Sequence, residues 1–574
     1  MSAYWRTLLP VLLLLSVQGC ARPKAETETG PLKPTGKYSC VSVEGRNGMV
    51  VSVSGPATEV GVSILKQGGN AVDAAIATAF ALAVTYPQAG NVGGGGFMLV
   101  HPAPGEGDPV AFVYRESAPA AARPGMFTKE DSQYSHKAVA TPGTVRGMAL
   151  AHRRFGTLPW PRLLAPAVAL ARDGFIIDKN LVASLNEILA NAAGVAEFQR
   201  VFGRPGGGSW KRGDRLRQPD LARTLQLLAD RGPDAFYQGP IADEIVVEMV
   251  RGDGLITAED LANYQALERK PLTTRYRGTY DVYVPPPPSA GGVCLLEELN
   301  ILEVFDLKAW GRWSPELLHV MAEAMRRANY DRARYLGDPA FVQIPGWLTT
   351  PEYGRRLAGT IDLHKAGRSE LLPVGGPSSR EEQSTTHFSI IDRRGMAVAN
   401  TFTLERLWGS RIVVKNMGFL LNNNMFGFNL FPGVTDTSGI ANTIAPGKRM
   451  LSSQTPTIVA RDGRVKMVTG SPGTRAIPNT LLCLLVSVLD FEMPLDAAVE
   501  SPRLSHEWMP DQISFEAPER YPELVKSLSA LGHTVVRTGP RPQGGAHTIW
   551  VTEPNRYVGV ADPRRSDKAS ASGY

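Results

Sequence analysis

The sequence predicts an α+β protein, on three observations. Helical patterns dominate residues 57–86 and 140–340, and period-two strands with hairpin turns dominate from Thr386 onward. The two parts meet at a polar connection, 365–384, rich in Gly, Ser and Pro. With 43% hydrophobic and 20% charged residues, the 574-residue chain can bury a large core as one large domain or several smaller ones. Its formal net charge is +6, but Lys and Arg are scattered and never form a run of five or six, which argues against a nucleic-acid partner.

At the N-terminus, Arg6 precedes an apolar stretch, 8–17, too short to span a bilayer and proportioned like a secretory h-region; residues 1–19 read as a signal peptide. The stretch ends in Val17-Gln18-Gly19-Cys20, which resembles a bacterial lipobox, where cleavage leaves a cysteine whose thiol receives a diacylglycerol. Ordinary cleavage with a free periplasmic product is the alternative. Residues 20–39 lack apolar periodicity and read as a flexible tether. With Cys20 acylated, Cys40, Cys294 and Cys483 remain, an odd number at no metal-like spacing. No two histidines fall three or four apart, so no helix presents a paired-His zinc site, and no catalytic metal or cofactor is expected.

Two helices are expected within 57–86, the first ending at Gly68-Gly69 and the second capped by Asn70 and buried. Asn91-Val92-Gly93-Gly94-Gly95-Gly96 then leads into a strand, 97–100. The run lacks the Lys-Ser/Thr of a phosphate loop and precedes a strand, so close backbone packing is the reading. Helical scaffold follows, including a helix that starts after Ser314 and stops at Gly337; the prolines at 285–288 mark a corner within it.

Beyond the connection, Thr385-Thr386-His387-Phe388-Ser389-Ile390-Ile391 reads as a strand, with a second strand over 396–404. If Gly395 takes the left-handed position of the intervening loop, paired residue numbers sum to 788. Thr385 then faces Thr403, and Glu405 follows on the same face. Taken alone, facing threonines are a cross-strand hydroxyl pair. A second hairpin turns at Asp462-Gly463 with paired numbers summing to 925, which sets Ser452 opposite Gly473 where both strands run into loops. Those loops either supply backbone NH donors to an oxyanion or are simply two turns.

From 48 to 574 the chain resembles the γ-glutamyltranspeptidases. The matching stretches include Gly68-Gly69-Asn70-Ala71-Val72-Asp73-Ala74-Ala75, Pro87-Gln88-Ala89-Gly90-Asn91, Arg115-Glu116, Thr141-Pro142-Gly143-Thr144-Val145, Thr385-Thr386-His387 and Leu451-Ser452-Ser453. The resemblance implies the N-terminal nucleophile hydrolase fold, an αββα sandwich of two antiparallel sheets between helical layers. It also implies a precursor cut between Ser384 and Thr385 into a helix-rich large subunit (40–384) and a β-rich small subunit (385–574) that stay together as a heterodimer. Thr385 matches the nucleophile, and Thr403 the threonine that hydrogen-bonds it. Gly473 and Thr474 match the oxyanion-hole pair, where the family carries two glycines. Arg115, Ser452 and Ser453 match residues that hold the glutamyl α-carboxylate.

The three positions that grip the α-amino group are Glu405, Asn424 and Gly427, and an aspartate is expected at the last. Its absence removes a charge-assisted hydrogen bond worth about 1.5–3 kcal/mol, which the carboxylate of Glu405 is placed to replace. The segment 432–448 is shorter than in members with a full lid and contains no Tyr, which implies a more open pocket. The implied activity is cofactor-free γ-glutamyl hydrolysis and transfer on glutathione-like compounds, with water, amino acids or peptides as acceptors. The implied location is periplasmic or outer-membrane, through a lipid anchor. A glutaryl-type (cephalosporin) acylase is the nearest rival, and an inactive lipid-anchored binding protein the rival of another class.

Overall fold

The structure is a computed structural model that describes residues 39–191, 195–369, 385–431, 438–539 and 542–574. The expected signal peptide, Cys20, nearly all of the tether, Ser384 and part of 432–448 lie outside the described residues. Two seven-stranded sheets form the centre, antiparallel at every pairing. The first runs edge to edge through Ser570–Gly573, Gly48–Ser52, Thr386–Asp392, Ala397–Thr403, Gly95–His101, Val110–Val113 and Leu267–Arg269. The second runs Val41–Gly45, Arg556–Ala561, His547–Glu553, Arg464–Thr469, Thr457–Arg461, Tyr280–Val284 and Leu272–Tyr276.

Period-two alternation builds the layers. Met49, Val51, Leu99, Ile391 and Ala399 of the first sheet pack with Ile458, Val468 and Ile549 of the second, closing the space between them. Their neighbours Val50, Met98, Val100, Ile390 and Val398 face the other way, into a core shared with the helices of the first part. The second sheet's outer face, with Val282, Val284 and Met467, packs on the helices Ala290–Leu302, Pro315–Tyr335 and Ala476–Leu485. Helix, sheet, sheet and helix therefore stack as expected.

The helix Ala71–Thr85 is buried along its whole length, and Asn70 caps it in a box with Asp73. Its first NH also donates to Asp392 Oδ2 at 3.1 Å, which places a carboxylate at the helix N-terminus and ties the first part of the chain to the hairpin of the second. The four glycines serve close packing: a Cβ at Gly94 would overlap the carbonyl of Thr403, and one at Gly96 the carbonyl of Thr401. The helix Pro315–Tyr335 starts on Ser314, and the 285–288 corner leads into Ala290–Leu302 capped by Ser289.

Two expectations need correction. Residues 267–284 are strands, although they sit inside the region read as helical. Thr274, Tyr276, Val282 and Val284 are buried at alternate positions, around a turn in which Arg277 and Gly278 take φ of 52° and 60°. That local alternation was masked by the helices on either side. The second hairpin keeps its predicted sum of 925 only next to the turn: a bulge between Val459 and Ala460 shifts Thr457 to face Thr469, and hence the sum to 926. Among the described residues no helix is long and apolar enough to cross a membrane.

Candidate active site

Thr385 immediately precedes the strand Thr386–Asp392, which lies between Gly48–Ser52 and Ala397–Thr403 in the middle of the first sheet. The hairpin holds the predicted register, with Thr386 opposite Phe402 and Ile391 opposite Ala397, and Gly395 at φ 86°. Thr385 is 6% exposed, and its hydroxyl donates to Thr403 Oγ1 at 3.3 Å. Thr403 Oγ1 also accepts the NH of Glu405 at 2.9 Å, which fixes its orientation. Glu405 itself takes φ 81°, a left-handed conformation uncommon for a residue with a side chain, and this turns its carboxylate back over the strand end.

Thr385 and Thr403 share a pocket with Arg115, Glu405, Leu451, Ser452, Ser453, Gln454, Gly473, Thr474 and Ile477. The fold thus gathers eight of the predicted site residues from five separated stretches of sequence. Ser452 is clamped by the proline corner: its NH donates to Pro288 O at 2.9 Å, and its carbonyl accepts the NH of Ala290 at 2.7 Å. Ser453 Oγ accepts from Arg332 at 3.4 Å. Gly473 takes φ 148°, a glycine conformation, just ahead of the helix Ala476–Leu485. Among the described residues, the NH groups of Gly473 and Thr474 have no acceptor.

Arg115 is 1% exposed and lies between two carboxylates, 3.1 Å from Glu116 and 3.2 Å from Glu405. It also donates to the carbonyls of Met450 and Leu451, at 3.4 Å each. Asn424 is not in the pocket wall; it lies behind it, donating to Glu116 Oε1 at 2.5 Å. Burial nevertheless pushes the Glu116 carboxyl up to about 7, because desolvation outweighs the attraction of Arg115. Gly427 does not take a left-handed φ, and a Cβ there would sit 3.3 Å from Arg115 Nη2 and 3.0 Å from Met450 Cγ. A carboxylate at 427 would therefore lie against the same guanidinium.

Some participants carried no local signal. Asn442 donates to Gly427 O and accepts from the NH of Leu451, both at 2.9 Å, and so pins the edge of the pocket across a gap in sequence. His387, in the Thr-Thr-His motif, bonds Thr401 and Ser389 at 2.8 and 3.0 Å beneath the site, and burial holds it well below the usual histidine range. His319, Glu323 and His533, distant in sequence, bring ligand-type atoms within 4.8 Å of one another. These atoms are already engaged: His319 Nδ1 and His533 Nε2 hydrogen-bond at 2.7 Å, and Glu323 pairs with Arg326 and Arg327.

The raised Glu116 has a consequence for stability. Because its folded pKa lies above its unfolded value, its contribution is fully present below about pH 4.5 and is lost as pH rises through about 7. Glu116→Gln, which keeps an acceptor for Asn424 and Arg115, removes that dependence. From pH 5 to pH 8 the wild type should lose roughly 1–3 kcal/mol relative to the variant in parallel denaturation experiments. A difference that stays flat over this range would show that Glu116 does not titrate there.

The layered architecture agrees with that of known proteins. A model of the gamma-glutamyltranspeptidase family matches residues 57–572. The chain is 44% identical over 549 residues, 93% of each chain, to the glutathione hydrolase proenzyme of Escherichia coli (strain K12). It is 40% identical to the glutathione hydrolase proenzyme of Pseudomonas sp. (strain A14), over 93% of this chain and 95% of that one. Among solved structures, cephalosporin acylase from Bacillus halodurans aligns with a TM-score of 0.82 and 25% identity, over 98% of this chain and 99% of that one. The sheets and helices are those of an N-terminal nucleophile hydrolase, and the chain belongs to the gamma-glutamyltranspeptidase family.

Proposed function

We propose that this protein is an autoprocessing glutathione hydrolase and γ-glutamyltransferase, with Thr385 as its nucleophile. The observation that carries the reading is the Arg115–Glu405 ion pair in the pocket that holds Thr385. A γ-glutamyl head group presents a carboxylate and an ammonium on one carbon. Inserted between Arg115 and Glu405, it gives each an opposite charge in exchange for the one it loses. A glutaryl head brings only the carboxylate and takes Arg115 away from Glu405 without compensation. The ion pair therefore favours the γ-glutamyl reading over the acylase reading.

In the precursor, Thr385 Oγ1 attacks the Ser384 carbonyl carbon. The peptide C–N bond breaks, an ester forms, and water hydrolyses it, leaving a 40–384 large subunit and a 385–574 small subunit. The freed α-amine, with a pKa of about 7.7–8.0, serves as base near neutral pH. It takes the Thr385 proton, oriented through Thr403, as Oγ1 attacks the substrate γ-carbonyl. The NH groups of Gly473 and Thr474 receive the oxyanion, Ser452 and Ser453 join Arg115 on the α-carboxylate, and Asn424 steadies Glu116 behind it. The amine product takes the proton, and water or an acceptor amine then releases the glutamyl group from its ester. No step calls for a metal or cofactor.

On a denaturing gel the purified protein is expected as two chains, with Thr385 as the first residue of the smaller; Thr385→Ala remains one chain. An active wild type that stays intact would overturn the mechanism. Glu405→Gln should raise KM for γ-glutamyl amides about tenfold, as loss of a charge-assisted hydrogen bond requires, and leave glutaryl amides no worse bound. Equal losses on both substrates would remove Glu405 as reader of the ammonium.

We also propose that residues 1–19 direct export and that Cys20 carries a lipid on a 20–39 tether, holding the enzyme to a membrane in the periplasm. The support is the h-region and lipobox-like Val17-Gln18-Gly19-Cys20. In a bacterial host with lipoprotein processing, Cys20→Ser should abolish fatty-acid labelling and release the protein from the membrane fraction. An unlabelled wild type would eliminate the anchor.

A further inference from the structure

In a trans peptide the C=O and the N–H lie in one plane and point opposite ways, so a group that holds the oxygen also aims the hydrogen. The peptide between Pro472 and Gly473 is trans, and its N–H is one of the two proposed to receive the oxyanion. Its oxygen accepts from Ser471 Oγ at 2.7 Å. That hydroxyl is itself oriented: Ser471 is fully buried, and Oγ accepts the NH of Gly545 at 3.0 Å, which leaves its single proton for Pro472 O.

We infer that Ser471 is a positioning residue for the oxyanion site: by holding the Pro472 carbonyl it turns the Gly473 NH toward the carbonyl that Thr385 attacks. The inference rests on the proposed Thr385 chemistry, in the pocket that Gly473 shares with Thr385. Such a hold is needed because Gly473, at φ 148°, has no side chain to limit its torsions, and its peptide plane turns at little cost. A hydrogen bond on the carbonyl also polarises the amide and makes its NH the stronger donor.

The backbone that orients Ser471 is a fixed platform, 543–546, in which charged side chains hold the residues on both sides of Gly545. Gln543 donates its NH to Glu516 at 3.0 Å, and its carbonyl accepts from Arg503 at 2.7 Å. Gly544 O accepts from Arg565 Nε at 3.0 Å, and the NH of Ala546 donates to Asp562 at 2.9 Å. Asp562 is buried between Arg503 and Arg564, at 2.6 and 3.3 Å. Gly544 takes φ 67°, and a Cβ there would lie 2.5 Å from Ser471 Oγ, so the platform reaches the hydroxyl only with glycine at that position. The other end of the loop is tied down as well: Thr474 O accepts the NH of Ile477 at 3.0 Å, at the start of the helix Ala476–Leu485.

The hold counts in the transition state. Full negative charge reaches the oxygen only as Oγ1 bonds to the carbonyl carbon, and a neutral carbonyl asks less of the NH. A misaimed Gly473 NH therefore slows the chemistry and leaves the binding of the glutamyl head unchanged.

The test uses the mature two-chain enzyme with a γ-glutamyl anilide as substrate and two competitors: free glutamate, and the glutamate analogue whose γ-carboxyl is replaced by a boronic acid, which forms a tetrahedral adduct on a hydroxyl. Ser471→Ala is expected to lower kcat about ten- to a hundredfold, short of the outright loss of an oxyanion donor, with KM and the Ki of glutamate within about twofold of the wild type. Boronate affinity should fall in step with kcat/KM. Ser471→Cys fills the same buried place with a weaker donor and should lie between wild type and alanine; it decides the question where the alanine variant fails to mature. An unchanged kcat in the variant that matures, or equal losses of affinity for glutamate and for the boronate, would overturn the assignment. A mature wild type inactive on the anilide would instead sink the reading beneath it.

Discussion

The hairpin that carries Thr385 and Thr403 is the constraint from which the rest of the structure follows. Its two strands lie in the interior of a seven-stranded sheet, paired on both sides, so their backbone groups are satisfied by neighbours and their faces by two different cores. Thr385 is the first residue outside that ladder. It is held in register by seven residues of pairing, yet its own backbone and hydroxyl face a pocket. Gly94 packs directly on the carbonyl of Thr403, which leaves that residue no room to move back.

The electrostatics of the pocket depend on one guanidinium shared by two carboxylates in unequal surroundings. Glu116 is sealed behind Arg115 with Asn424, and burial raises its carboxyl; Glu405 stands at the mouth, 18% exposed. A buried Arg without partners would be costly, and this one is satisfied before substrate arrives. On the proposed function, recognition is an exchange of ion pairs instead of the creation of one. The same geometry accounts for the glycine at 427. A side chain there would press on Met450 and approach Arg115, and Glu405 already sets a carboxylate 3.2 Å from that guanidinium.

The caps at Asn70 and Ser314, the 788 register and the facing threonines were all legible, because each is set by residues close in sequence: an Asx cap, a left-handed glycine, a period-two pattern. The errors were local signals outvoted or too fine. The alternating burial of 272–284 was swamped by flanking helices, and the bulge at Val459/Ala460 shifts the pairing by one residue with nothing in the turn to announce it.

The sequence by itself set Thr385 at the head of the hairpin's first strand and, through the motifs it shares with a known family, named the residue types that surround it. Tertiary structure alone decided which carboxylate meets Arg115, that Asn424 supports Glu116 from behind the pocket, and that Arg564 and Arg565, adjacent in the chain, differ in environment. The reason is physical: caps, turns and strand pairing are short-range and leave a mark in adjacent residues. A pair such as Arg115 and Glu405 is chosen by distance and burial between segments 290 residues apart, and only the packed layers fix that.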